Sequence, residues 1–379
     1  MRSREEYIVK TEELAIGPYT IHGLLGSGGM CNVHLGIHKT THEPVAVKRI
    51  QLGLPAHCYP RLDVEAAILR ALLHHRCPYL VEYIEYGTDT EDRKALVIEL
   101  VKNGVTLDQF VAEQPHKRLP PLLALHILKC VAEGMAAAHA LGIVHRDLKS
   151  DNVLIVYLAS GVILRVAVID FGLAKADPSL YAGERLTPVP AVFGTMEYMS
   201  PEQYTDTSGV DARTDVYAMA LLLYYLITGK DYYPRVDRAA KEAYTTYLER
   251  TREKRRSPPK TTPDIHIPPA VWRLIRLGIS FDLNHRPKDA LAFLKLLQTT
   301  MRTLRRDTDK KWPINKCVSA QKKPRPVPTP PKKKLPLPVQ PTHTPFLTRK
   351  QILELVVVVF VAFLLAITLT NLIFLPASR

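Results

Sequence analysis

The residues His145-Arg146-Asp147-Leu148-Lys149-Ser150-Asp151-Asn152 decide how the rest of this chain is read. Between positions 147 and 152 they set an acid, an ammonium group and a carboxamide. These groups can accept a proton, neutralise an anion and hold a cation through an oxygen. The string follows a long apolar-periodic, Ala-rich stretch, residues 122–141, whose spacing predicts a helix, with Gly142 at the C-terminal glycine position. The apolar pair Val153 and Leu154 comes directly after it. Chance does not readily place such a string at the end of an amphipathic helix, so it is read as a site and not as a solvated turn.

Working outward, VAVIDFGLA (166–174) is a β-branched strand ending in Asp170, Phe171 and Gly172. Its spacing from Asn152, more than the tripeptide itself, gives it weight. Upstream, residues 19–48 alternate short β-rich runs with glycines and polar turns, as in IHGLLGSGG (21–29), VHLGIHK (33–39) and PVAVKRI (44–50), which predicts a small antiparallel sheet. Within it, GSGGMCNV (26–33) presents Gly26, Ser27, Gly28 and Gly29, where missing side chains let backbone amides approach a ligand, and Val33 follows. VAVK (45–48) then carries Ala46 and Lys48 onto the next strand. A helix is expected over 62–73, with Val64, Ile68, Leu69 and Leu72 near one face. It offers Glu65 as the carboxylate partner of Lys48, or Asp63 if the helix register differs. Strands are expected at 81–86 and 95–101, and helices at 215–228 and 269–277, with 281–297 as the last packed segment.

In order, the glycine loop, VAVK, HRDLKSDN, DFG, GTMEYMSPEQ (194–203) and DVYAMALLLYYLITGK (215–230) resemble the eukaryotic-type protein kinase family over about residues 19–297. GTMEYMSPEQ and HALGIVHRDLK look most like its bacterial membrane-anchored Ser/Thr branch. The resemblance implies an α+β, two-lobed fold with a β-rich N-lobe at about 19–101 and a larger helical C-lobe at about 102–304. It implies ATP with Mg²⁺ or Mn²⁺ as cofactors and protein Ser/Thr hydroxyls as acceptors. Phosphoryl transfer passes through a loose, charged transition state, so catalysis is alignment plus charge neutralisation. Asp147 would orient the acceptor hydroxyl and accept its proton, Lys149 would neutralise the γ-phosphate, and Asn152 and Asp170 would hold the metal. The glycine loop and Lys48 would bind the phosphates. Backbone groups of Glu99 and Val101 in LVIELV (96–101) would meet the adenine edge, with Ile98 behind it and Val33, Ala46 and Leu154 around the ring.

The same resemblance implies that Thr195 packs by Asp147 and Lys149, that Glu202 pairs with Arg286, and that Asp215 braces the catalytic loop. Arg146 before the catalytic acid implies control by phosphorylation. Thr187 leads as acceptor, with Ser179 behind it. Two departures stand out. Cys31 replaces the third loop glycine, making the loop tip bulkier and placing a thiol near the γ-phosphate, and Ala220 stands where the family has glycine. The altered loop is the only support for a pseudokinase scaffold, and Lys149 with segment 194–202 disfavours a lipid or small-molecule kinase.

The chain has 379 residues, 30 prolines and a formal charge of +14, and both excesses gather near the C-terminus. Residues 312–345, WPINKCVSAQKKPRPVPTPPKKKLPLPVQPTHTP, hold no acid and little to bury, which predicts an extended tether within 305–350. Residues 355–375 carry no charge and match a bilayer core in length, so a transmembrane helix is expected over 353–375, leaving a tail at 376–379. Lys332, Lys333, Lys334, Arg349 and Lys350 precede it, which favours a cytoplasmic kinase domain and anionic lipid contact by the tether. The rival readings of the tether are a proline-docking ligand and a plain spacer. Residues 1–18 form an N-terminal extension without the apolar core of a secretory signal. Cys31, Cys58, Cys77, Cys130 and Cys317 are scattered and are read as reduced thiols. A homodimer, through which one chain would phosphorylate another, is among the partners considered, and nucleic acid is not indicated.

Overall fold

The computed structural model describes residues 14–54, 58–174, 196–205, 210–234, 244–262, 264 and 266–307. All lie within the compact unit Met1–Lys322. The expected transmembrane helix, Thr187, Ser179 and Thr195 fall outside the described residues, as do the N-terminal extension before residue 14 and the tether after residue 307; residues 15–16 form a short strand and 305–307 end the last helix.

The chain opens with a six-stranded antiparallel sheet ordered β1-β2-β3-β4-β6-β5. Its strands are β1 (Ala15–Ile16), β2 (Tyr19–Ser27), β3 (Cys31–His38), β4 (Pro44–Ile50), β5 (Tyr83–Thr88) and β6 (Lys94–Glu99). Helix α1 (Pro60–Leu72) lies between β4 and β5 in sequence, so β4 pairs with β6 across it. Side chains alternate across a strand, and here that alternation assigns the functional face. Val45 and Val47 of β4 join Ala95 and Val97 of β6 in a small core with Ile16, Tyr19 and Ile21. Ala46 and Lys48 therefore point to the opposite face. The register pairs Val33 with Lys48 and Leu35 with Ala46, and cross-strand partners share a face.

Beyond β7 (Val105–Thr106) and α2 (Leu107–Glu113), the chain becomes mainly helical. Helix α3 (Pro121–Ala140) is closed by Gly142 at φ +70°, a left-handed turn that glycine adopts without steric cost. Among the described residues, α3 is the one helix long and apolar enough to cross a membrane, yet Leu125, Leu128, Val131 and Met135 are all buried in the core. A second sheet, β7-β8-β9, is built from β8 (Val153–Tyr157) and β9 (Ile163–Val168). Then come α4 (Pro201–Thr205), α5 (Arg213–Thr228), α6 (Tyr244–Arg256), α7 (Pro269–Gly278) and α8 (Ala290–Asp307). Helix α5 is buried on every side from Thr214 to Thr228, as a helix apolar all round must be.

The expected segment at 281–297 resolves into a short turn, Leu283–His285, and the longer helix α8. Phe293, Leu297, Met301 and Leu304 keep one face of α8 buried, which carries the helix to Asp307. Ala220 also acquires a reason. A Cβ on Gly278 would overlap the Ala220 side chain, so the small residue needed where α5 meets α7 is supplied by α7.

Overpacking at this contact is expected to make Gly278→Ala lose roughly 1–3 kcal/mol in thermal or chemical melts. Adding Ala220→Gly should restore most of it; a single variant that melts with the wild type would refute the close approach.

Candidate active site

Lys48, Glu65 and Asp170 meet in one cluster, although they come from β4, α1 and the turn after β9. The Lys48 Nζ donates to Glu65 Oε1 at 2.9 Å, to Glu65 Oε2 at 2.7 Å and to Asp170 Oδ1 at 2.8 Å. The Asp170 side chain stays 43% exposed, so it faces an open space. Burial alone would strip the Lys48 proton, but the two carboxylates reverse that and hold the amine charged. Burial likewise opposes ionisation of Asp170, and Lys48 overrides it, drawing the carboxyl down to about 2. Burial pushes Glu65 up from its ordinary value while Lys48 pulls it back.

The helix register separates Glu65 from Asp63. Two positions on a helix lie about 200° apart, so only one of the pair can face Lys48. Asp63 turns instead to the sheet, where it accepts from the Tyr86 hydroxyl and from Lys94 Nζ. Both acids are thus used, one holding the lysine and the other tying α1 to β5 and β6.

In the glycine loop, Gly26, Ser27, Gly28 and Gly29 are all exposed. The Gly28 amide closes the loop on the Cys31 carbonyl at 2.9 Å. Gln51 Nε2 braces it from below, donating to the Gly28 carbonyl at 2.8 Å and to Asn32 Oδ1 at 3.0 Å. The expectation of a thiol at the loop tip is corrected. Cys31 begins β3, opposite Ile50, and its side chain is buried in the main core, which pushes the thiol up to about 12. Farther along the cleft, Ala46 is buried, while Val33 and Leu154 are half-buried. The Glu99 amide donates to the Glu82 carbonyl at 2.9 Å, and the Val101 carbonyl accepts from Gly104 at 3.0 Å. The Glu99 carboxylate forms a bidentate pair with Arg165 at 2.6 and 2.8 Å.

The loop at 145–152 is held from beneath by a fully buried carboxylate. Asp215 accepts from the amides of His145 at 2.8 Å and Arg146 at 2.9 Å, and from His139 Nε2 at 2.9 Å. His139 Nδ1 accepts from the Ala290 amide at 3.0 Å, which assigns the ring proton to Nε2. Burial would raise the Asp215 pKa, yet the bonds from His139 and the His145 amide bring it below the ordinary value. These bonds hold Arg146 at φ +67°, a conformation costly for a residue with a side chain. Asp147 follows directly, and Lys149 Nζ lies 3.1 Å from its Oδ2. Asn152 Nδ2 donates to the Asp147 carbonyl at 2.8 Å and to Asp147 Oδ2 at 3.2 Å. The Asn152 carbonyl accepts from Ile169 at 2.9 Å, fastening the loop to the turn that carries Asp170. Asp170 itself sits at φ +64°.

Asn152 and Asp170 fit a hard divalent cation in donor type. The Asn152 amide spends its NH₂ on Asp147, leaving its oxygen, and Asp170 Oδ1 is taken by Lys48, leaving Oδ2. No group of three or more His, Cys, Asp and Glu that could by itself hold a metal ion occurs among the described residues, so phosphate and water oxygens would complete such a site.

Glu202 and Arg286 form a bidentate pair at 2.6 and 2.9 Å, with Arg286 stacked on Tyr217 at 4.8 Å. Although burial opposes it, Arg286 holds the Glu202 carboxyl below its ordinary value. Gln203 Nε2 reaches the Arg146 carbonyl at 2.9 Å. Gln51, His139, Gln203 and the Tyr86–Asp63–Lys94 tie were not singled out from sequence, because each meets its partners across long separations that no local periodicity records.

The chain matches the protein kinase domain family over residues 19–309. It is similar to the serine/threonine-protein kinase pkn2 of Myxococcus xanthus, 36% identical over 217 residues that cover 56% of this chain and 25% of the relative. The serine/threonine-protein kinase pkn3 of the same organism is 31% identical over 307 residues, 80% of this chain and 53% of that protein. The serine/threonine-protein kinase PknB of Mycobacterium tuberculosis is 35% identical over 215 residues, 56% of this chain and 32% of that protein. The chain therefore spans between a quarter and about half the length of these curated relatives.

Asp215→Asn presents an NH₂ to at least one of the three buried donors whichever way the amide is turned. A loss of roughly 2–4 kcal/mol is expected, read as a lower Tm. Because the native pKa is depressed, the wild-type carboxylate stabilises the fold above the unfolded value of about 3.9 and loses that contribution as pH falls below it. The difference between wild type and variant should shrink in that acid range, and a constant difference would contradict the assignment.

Proposed function

The chain belongs to the protein kinase family, and from that membership we propose that it transfers the γ-phosphoryl group of ATP to Ser or Thr hydroxyls of proteins. The observation that carries this reading is the convergence of Lys48, Glu65 and Asp170 at 2.7–2.8 Å beside an Asp147 fixed by Asn152 and Lys149. Lys48, locked by Glu65, binds the α- and β-phosphates of the nucleotide. The exposed glycine loop at 26–29 covers the phosphates, and Val33, Ala46 and Leu154 enclose the base beside the backbone of Glu99 and Val101. Asn152 and Asp170 hold Mg²⁺ or Mn²⁺, which when bound neutralises charge on the phosphate oxygens. Asp147 accepts a hydrogen bond from the acceptor hydroxyl, orients its oxygen in line and takes up its proton. Lys149 balances the charge of the transferred group, and its presence supports Ser or Thr as acceptor. Arg146 receives an activating phosphate, with Thr187 the first acceptor, placed there by another copy of the chain in a homodimer.

Incubated with ATP and Mg²⁺, the full chain should label itself and a basic protein substrate. Asp147→Asn and Lys48→Met should each lower labelling by about a hundredfold or more. Thr187→Ala should leave basal activity and abolish the autophosphorylation-dependent rise. A wild-type chain that binds nucleotide but never labels would overturn the enzymatic reading in favour of a scaffold.

The second part of the proposal is membrane attachment through 353–375. It rests on the uncharged apolar run at 355–375 that follows the Pro- and Lys-rich tether. The charge bias keeps the kinase domain cytoplasmic, and Lys332, Lys333 and Lys334 contact anionic headgroups. Removing 353–379 should move the protein from the membrane pellet to the supernatant in cell fractionation; an unchanged pellet fraction would refute the anchor.

A further inference from the structure

One charged group deep in the helical part takes no part in the chemistry described so far. Arg255, in the last turn of α6, is 3% exposed. Its Nε donates to Thr251 Oγ1 at 3.0 Å. Nη1 donates to the Met199 carbonyl at 2.7 Å and, more weakly, to the Tyr217 hydroxyl at 3.5 Å. Nη2 donates to the Met196 carbonyl at 3.1 Å and to the Tyr204 hydroxyl at 2.8 Å. A guanidinium has five N–H donors, and five acceptors surround this one, all of them neutral. Its charge is further offset by the Tyr233 ring at 4.0 Å and the Tyr204 ring at 4.8 Å.

Among the described residues no carboxylate pairs with this cation; burying a cation so is costly, and apolar residues of similar size would fill such a place at least as well. The arrangement is explained by what the fork grips. Met196 and Met199 lie within segment 194–202, the stretch that in a protein kinase would position the acceptor peptide. Their two carbonyls are held from behind by one planar group, which a point-charge ammonium cannot reproduce. Tyr204 closes the clamp by donating to the Met196 carbonyl at 2.6 Å. The same segment continues through Gln203, whose Nε2 reaches the Arg146 carbonyl, next to Asp147. A connected path therefore runs from Arg255 through 196–203 to the catalytic loop.

We propose that Arg255 is a positioning residue for the protein acceptor: it sets the register of the 196–199 backbone against Asp147, and so the affinity for the acceptor but not for ATP. This inference rests on the protein kinase reading. Using the full chain, Arg255→Lys, Arg255→Met and Tyr204→Phe should be assayed with histone as acceptor, alongside acceptor-independent ATP hydrolysis and thermal melts. The KM for histone is expected to rise about tenfold or more in both Arg255 variants and about threefold in Tyr204→Phe. The KM for ATP and the hydrolysis rate should stay within about twofold of wild type. Equal losses in both activities, or an unchanged KM for histone, would overturn the inference. Tyr204→Phe removes one hydroxyl only and keeps the test decisive if the arginine variants fail to fold. A wild-type chain inactive toward histone and itself sinks the kinase reading and this inference together, whereas an active wild type with unaltered variants sinks this inference alone.

Discussion

A single buried carboxylate holds the arrangement on which the rest depends. Asp215 lies at the start of α5, the helix around which the C-terminal core is packed, and it accepts bonds from the amides of His145 and Arg146 and from the His139 ring. Without them, two adjacent backbone donors would be buried unpaired and Arg146 would have no compensation for its left-handed backbone. With them, the chain is held in a left-handed turn at 146, directly before Asp147. The path of the backbone at Asp147 is thus fixed by the rigid centre of the helical part and not by the loop's own sequence. His139 extends the link through Ala290 to the first turn of α8. Packing of the last helix therefore bears on the geometry of a loop far from it in sequence.

The N-terminal half solves a different problem with alternation. Val45 and Val47 are consumed by the small core on one face of β4, which forces Lys48 to the other. There it meets Glu65 only because α1 is turned about its axis so that Asp63 faces Tyr86 and Lys94. The two acids act jointly: one grips the lysine, and the other sets the rotation that lets it do so. A shift of α1 away from the sheet would strain both sets of contacts at once, so the lysine's fixation is tied to the docking of the whole helix.

Much of this was legible in the sequence, and for physical reasons. Strand alternation at 44–50, the helix pattern at 122–141 and the glycine after it are local signals, and the elements appear within a few residues of where they are expected. The pairing of Glu65 over Asp63 was open, because a one-residue uncertainty in helix start rotates every side chain by about 100°. Cys31 was placed at the loop tip because it stands where the third loop glycine belongs. The strand begins there, and the pleat turns its side chain inward. Ala220 looked like a departure until its neighbour Gly278 was in view, since compensation between packed helices leaves no mark on either segment alone. Arg255 gave no signal at all. In EKRR it reads as one more charge on a solvated helix end, and only the tyrosines from α4, α5 and the residues after α5 reveal it as buried.

Two arginines from the C-terminal helical region reach back to residues 196–202, and they do so by different physics. Arg286 meets a carboxylate in Glu202, so that contact is an ion pair whose strength depends on the acid staying ionised. Arg255 meets carbonyls, hydroxyls and rings, none of which titrates near neutral pH. The segment is therefore held at one end by a bond that acid weakens and at the other by a set of contacts that acid leaves alone. Upstream, the turn at Asp170 is fastened separately, by Lys48, by the bond from the Gly172 amide and by that from Ala174 to Phe171. Residues 175–195 thus run between two described flanks that are each fixed by their own contacts.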